Sequence, residues 1–174
     1  RAWRWWLTCK PRVAFGLEGW RLPGTLTMPA GHGPFPAIVL VHGSGPQDRD
    51  ETIGPNKPFR DLAEGLSSAG IAVLRYDKRT RVYGPKMPRD ITVEQEVIED
   101  ALAAVDFVRT QPGIDNKRVF LAGHSLGGHL APRIAQRAGD LAGLVILAGN
   151  VRSIDQLVEE QARVAAPGMD PKQL

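Results

Sequence analysis

Residues Gly123-His124-Ser125-Leu126-Gly127 are the part of this chain whose types and spacing fit covalent chemistry. A serine with glycines two positions before and two after suits a sharp turn from strand to helix. The backbone is strained there, and the glycines remove side chains that would clash. Such a turn lifts the Ser125 oxygen clear of a sheet. It also aims the next backbone N–H, that of Leu126, at the place where an oxyanion forms during acyl transfer. A bare G-x-S-x-G also occurs as a structural glycine turn. Here the run Arg118-Val119-Phe120-Leu121-Ala122 leads in as a strand and residues 126–138 lead out as a helix, which favours the catalytic reading.

A serine hydroxyl ionises far above neutral pH, so Ser125 needs a general base, normally a histidine oriented by a carboxylate. The histidines are His32, His42, His124 and His129. His32 lies in a Gly/Pro loop and is expected to be solvated. His42 ends a strand and is expected to brace the following turn by hydrogen bonds. Alternation along the strand turns His124 away from Ser125. His129 is one helical turn past Ser125 and is expected to point along its helix, not toward the open face. A structural role outweighs a base role for each.

The turn His42-Gly43-Ser44-Gly45 is the second informative site. Its glycines let the backbone approach a ligand, and its N–H groups, Ser44 foremost, fit the other half of an oxyanion hole beside Leu126 N–H. The plainer alternative is an ordinary tight turn. The charges of Gln47-Asp48-Arg49-Asp50-Glu51 either line the mouth of the site or pair with Arg75, Lys78 and Arg79. A structural ion-pair network is the favoured reading. Asp77 is expected to brace the loop with Arg79. The basic cluster from Arg75 to Arg89 is expected in a solvated loop, with a bias toward anionic substrates as the alternative.

These groups need a frame. Short strands are expected at Val13 to Phe15 and Leu22 to Met28, then a continuous apolar strand at Ala37 to Val41. A helix follows from Pro58 to Ala69, with Phe59, Leu62, Ala63 and Leu66 on its apolar face and Gly70 as its stop. The next strand is Ile71 to Tyr76. After a loop to Ile91, Thr92 and Gln95 form a capping box for a long helix that Pro112-Gly113 ends. Leu141 to Ala148 is another apolar strand, and Ser153 to Ala166 has helical spacing at Ile154, Leu157, Val158 and Gln161. The alternation implies an α/β fold, a mostly parallel sheet with helices on both faces.

Composition sets the outer bounds. With 174 residues, 43% hydrophobic and 24% charged, one domain with a real core is expected. The single cysteine, Cys9, excludes an intramolecular disulfide and cysteine-based metal clusters. That suits a reducing compartment, and a cytoplasmic location is expected. No apolar run approaches the ~18 residues of a membrane span. A net charge of +3 is only mildly basic. Residues 1–12 interleave Arg1, Arg4, Lys10 and Arg12 with Trp3, Trp5 and Trp6. Such a pattern can sit on anionic lipid or stack on nucleic acid. An exposed terminus is the plainer reading, so neither membrane nor nucleic acid is expected as partner, and no metal or cofactor is implied.

The runs Val41-His42-Gly43-Ser44-Gly45-Pro46-Gln47-Asp48-Arg49-Asp50-Glu51-Thr52, Leu74-Arg75-Tyr76-Asp77-Lys78-Arg79 and Gly123-His124-Ser125-Leu126-Gly127-Gly128 together resemble the α/β-hydrolases. Within them the similarity is to bacterial carboxylesterases related to dienelactone hydrolases and prolyl-oligopeptidase catalytic domains. The resemblance implies a serine carboxylic-ester hydrolase acting on a small-molecule ester or thioester. Ser125 would be the acyl-accepting nucleophile, and the backbone N–H groups of Ser44 and Leu126 would bind the oxyanion. After the basic Trp-rich arm at 1–12, it also implies a hydrolase core at 13–152 truncated after its sixth strand, and the start of a helical cap at 153–174. In this family the triad runs Ser, then Asp or Glu, then His. Asp155 and Asp170 follow Ser125, but no histidine follows them. The acid and the histidine are therefore expected beyond Leu174. The last strand would be an open sheet edge, suited to a complementing chain or a homo-oligomer. A non-catalytic scaffold used for binding or assembly is the alternative.

Overall fold

The computed structural model describes residues 11–88 and 90–165. Thus Arg1, Trp3, Arg4, Trp5, Trp6, Cys9, Lys10, Arg89, Ala166, Asp170 and Leu174, named above, lie outside the described residues. Six strands form one sheet: β1 (Arg12–Phe15), β2 (Leu22–Thr27), β3 (Phe35–Val41), β4 (Ala72–Tyr76), β5 (Ile114–His124) and β6 (Gly143–Leu147). Their spatial order is β1-β2-β4-β3-β5-β6. The pairs β1/β2 and β2/β4 are antiparallel, and β4, β3, β5 and β6 run parallel. The α/β architecture inferred from alternating apolar runs is the one observed.

The helices are α1 (Pro58–Ser68), α2 (Arg79–Tyr83), α3 (Glu99–Arg109), α4 (Leu126–Ala138) and α5 (Ile154–Ala165). Successive strand residues point to opposite faces, so β3, β4 and β5 each feed two cores. On one face Val39, Val41, Leu74, Val119 and Leu121 pack with Ala101, Val105 and Val108 of α3 and with Leu130 and Ile134 of α4. On the other, Ile38, Leu40, Val73 and Ala122 pack against Phe59 and Ala63 of α1. Leu62, assigned to that apolar face by spacing, is 37% exposed and belongs to neither core.

Two elements differ from the sequence reading. The expected loop after β4 contains α2 and a 3₁₀ turn at Gly84–Lys86. The long helix opens with a π turn at Glu94–Ile98 before continuing as α3. The capping box is present: Thr92 N–H donates to Gln95 Oε1 at 3.2 Å, and Gln95 N–H donates to Thr92 Oγ1 at 3.4 Å. Strand β6 pairs only with β5 among the described residues. Its Leu144, Val145 and Ile146 are 37%, 42% and 50% exposed.

Candidate active site

Strand β3 is the point where the winding of the sheet reverses: the chain leaves it for β4 on one side and later β5 on the other. Crevices form beyond the carboxyl ends of strands at such a point. The turns after β3 and β5 are those carrying Ser44 and Ser125.

Ser125 has φ 50° and ψ −112°, a conformation L-residues rarely hold. It joins β5 directly to α4 and donates its N–H to Leu147 O of β6 at 2.9 Å. The turn closes because backbone meets backbone. A Cβ on Gly123 would overlap the Gly127 carbonyl, and one on Gly127 would overlap the carbonyls of Val41 and His42. Gly127 N–H donates to His42 O at 3.0 Å, tying the start of α4 to the turn after β3.

The turn after β3 is held from two sides. Glu51, 2% exposed, accepts the Gly43 N–H at 2.7 Å. Lys78, also 2% exposed, donates from Nζ to Gly43 O at 2.9 Å and pairs with Glu96 Oε1 at 2.8 Å. The backbone N–H groups of Ser44 and Leu126 have no hydrogen-bond partner among the described residues.

The histidines are distributed largely as read, with one correction. His32 is exposed. His124 turns to Glu51, its Nδ1–H donating to Oε1 at 2.9 Å, a carboxylate being able only to accept. His42 braces its turn as expected, by a hydrogen bond to the Asp48 backbone, and also by packing. The ring lies 5.1 Å from Tyr76 and 5.3 Å from Phe59, centroid to centroid, and its Nε2 has no partner. Burial, and then the Lys78 charge, lower its pKa to about 4, so it is neutral near pH 7. His129 does not point idly along its helix. It borders the same cavity as Ser125, and its Nδ1–H donates to Asn150 O at 2.8 Å. Helical side chains lean toward the helix N-terminus, which here brings His129 back toward the turn at Ser125.

The charged loop is the structural ion-pair network expected, with different partners. Asp77 pairs with Arg49, at 2.6 Å from Oδ2 to Nη2, and not with Arg79. Arg75 pairs with Asp50. Arg79 binds Asp100 through Nε and Nη2 and reaches Glu99 at 3.3 Å. Arg75, Lys78 and Arg79 are buried, which corrects the solvated loop for its first part, while Arg81 and Lys86 are exposed as expected.

A cavity of about 290 Å³ brings the predicted site residues together. Ser44, Ser125, Leu126 and His129 line it with Val93 at the start of the π turn, and with Leu157, Val158 and Gln161 of α5. The α5 residues were legible as helical positions but not as cavity walls. Exposed Asp155 is not among the lining residues.

Residues 38–173 match the alpha/beta hydrolase family. The chain belongs to that family. Esterase EstD of Thermotoga maritima is 54% identical over 142 residues, covering 82% of this chain and 34% of the relative. Thiohydrolase aneE of Aspergillus aculeatus is 35% identical over 115 residues, covering 66% and 33%. The chain thus spans about a third of the length of these curated relatives. Among solved structures, a bacterial heroin esterase superposes with a TM-score of 0.68 at 19% identity, covering 90% of this chain and 49% of its own. Esterase Est22 gives 0.64 at 22%, covering 86% and 47%. Those two establish the shared alpha/beta hydrolase fold, and the strand order above is its expression here.

Proposed function

We propose that this chain is the nucleophile-bearing part of a serine ester hydrolase that acts through an acyl-enzyme on Ser125. One observation carries the reading: Ser125, Ser44 and Leu126 line one cavity, and the backbone N–H groups of the latter two have no partner among the described residues. The hydroxyl attacks the carbonyl carbon of a small ester or thioester, and the carbonyl electrons move onto oxygen between the two amides. The alcohol or thiol leaves with a proton, and water then releases the acid. The similarity to Esterase EstD and to a thiohydrolase supports an acyl substrate of this kind. No described histidine is hydrogen-bonded to Ser125 Oγ, and the base and its orienting acid are assigned to sequence outside this chain. Helix α5, as the first element of a cap, walls the cavity with Leu157, Val158 and Gln161.

A fluorophosphonate probe followed by intact-mass and peptide analysis tests this. Slow modification confined to Ser125, abolished in Ser125→Ala, is the expected result. No adduct at Ser125 after extended exposure would overturn the nucleophile assignment. Fast, stoichiometric labelling by the chain alone would overturn the external base.

The exposed apolar edge of β6 favours a second reading, a scaffold that pairs with another polypeptide through that strand. A monodisperse monomer in size-exclusion chromatography counts against it.

A further inference from the structure

We propose that Lys78 is a positioning residue for the oxyanion site: its ammonium holds the Gly43 carbonyl and so aims the Ser44 N–H into the cavity beside Ser125. The inference rests on the hydrolase reading above and extends it to a residue remote from the reacting atoms.

Gly43 O and Ser44 N–H belong to one peptide unit. That unit is planar and trans, so its carbonyl and its N–H point in opposite directions. Lys78 Nζ takes the carbonyl at 2.9 Å from the protein interior. The N–H therefore points away from Lys78, is without a partner among the described residues, and belongs to a residue that lines the cavity with Ser125.

The loop alone fixes that orientation only in part. Gly43 lacks a Cβ, so on its side the Gly43–Ser44 peptide turns with little steric resistance, and only Ser44 opposes the rotation with a side chain. A flipped peptide would present the carbonyl oxygen to the developing oxyanion and turn the N–H against a buried ammonium. Both contacts are repulsive. The charge therefore selects one of two peptide orientations, and withdrawal of electron density from the carbonyl also strengthens the N–H as donor.

The position of Lys78 is itself determined. A buried ammonium is costly unless it is paired and hydrogen-bonded. Glu96, on the π turn that also brings Val93 to the cavity, supplies the pair at 2.8 Å. Thr80 Oγ1–H donates to the same carboxylate oxygen at 3.3 Å. Glu51 fixes the preceding peptide through Gly43 N–H, so the unit that can turn is the one Lys78 holds.

The test is the rate of fluorophosphonate modification of Ser125 in the 174-residue chain, resolved into a saturating rate and a half-saturation concentration. Wild type, Lys78→Met, Lys78→Arg and Glu96→Gln are compared, with the Ser44 amide followed by proton–nitrogen NMR before and after adduct formation. Lys78→Met is expected to lower the saturating rate by about 10- to 100-fold, a fraction of the loss seen when an oxyanion donor is removed outright. Half-saturation should stay within about 2-fold, since ground-state binding does not use the oxyanion contact. Lys78→Arg should recover part of the rate. Glu96→Gln, altered at the more accessible end of the pair, should slow modification by a few-fold with the fold retained, which keeps the proposal testable if Lys78→Met does not fold. The Ser44 amide proton should move downfield on adduct formation in wild type and less in Lys78→Met. Equal saturating rates in wild type and a folded Lys78→Met, or an unchanged rate in Glu96→Gln when Lys78→Met does not fold, overturn the Lys78 assignment alone. Absence of any Ser125 adduct in wild type overturns the hydrolase reading and this inference with it.

Discussion

The buried carboxylate of Glu51 accepts the backbone N–H of Gly43 at 2.7 Å, from a residue whose own backbone sits at φ 51°. The same oxygen meets His124 beside the proposed nucleophile. Glu51→Ala orphans a buried N–H, so it should cost about 1–3 kcal/mol in denaturant unfolding. Glu51→Gln keeps an acceptor for Gly43 and should cost less. Equal losses for the two variants would remove the hydrogen bond as the cause.

Gly123 and Gly65 predict opposite outcomes for one substitution. Alanine at 123 meets the Gly127 carbonyl, whereas at 65, inside α1, it meets open space. Gly123→Ala is expected to lose roughly 3 kcal/mol or more. Gly65→Ala should gain about 0.5–1 kcal/mol from helix propensity. Urea midpoints for the pair check both signs.

His42 sets an acid limb to stability. Its folded pKa is about 4 against 6.5 for an ordinary histidine, so the unfolded chain takes up a proton that the folded state refuses. Stability from this group is full above pH ~6.5 and declines as pH falls toward 4, by roughly 3 kcal/mol in all. His42→Phe, which keeps an aromatic ring between Phe59 and Tyr76, should flatten that decline by the same order. Unfolding free energies of the two proteins at pH 7 and pH 4 measure it.

The pair Arg79 and Asp100 is buried on both sides. Burial pushes the Asp100 carboxyl up to about 6, with Arg79 opposing. Arg79→Met leaves that carboxylate without its partner and should cost about 3–5 kcal/mol. The double variant Arg79→Met with Asp100→Leu should recover most of it. A double variant as unstable as the single one would contradict this account.

The frame of the molecule was readable because periodicity and punctuation agreed. Residues 37–41, 71–74 and 119–122 are apolar without interruption, as strands covered on both faces require. Helix α4 has the bounds read from sequence, Leu126 to Ala138, set by the turn at Ser125 and by Gly139. Helix α2 was not readable, because Arg-Thr-Arg-Val-Tyr carries no apolar period. The burial of Arg75, Lys78 and Arg79 was hidden for another reason. Their partners Asp50, Glu96 and Asp100 lie about 20 residues away along the chain, and like-charge clusters usually face water. Ser44, Leu126 and Ser125 were found by motif, and the structure brings all three to one cavity. Glu51 and Lys78, which hold the turn, have no motif of their own.

The backbone at Ser125 carries one more implication. A non-glycine residue at φ 50° costs on the order of 1–3 kcal/mol, part of which glycine would avoid. Ser125→Gly should therefore leave a more robust protein by roughly 1 kcal/mol, after allowance for its freer unfolded chain. Use and durability pull in opposite directions at this position. A chain that keeps a hydroxyl there retains a residue that its own endurance would discard.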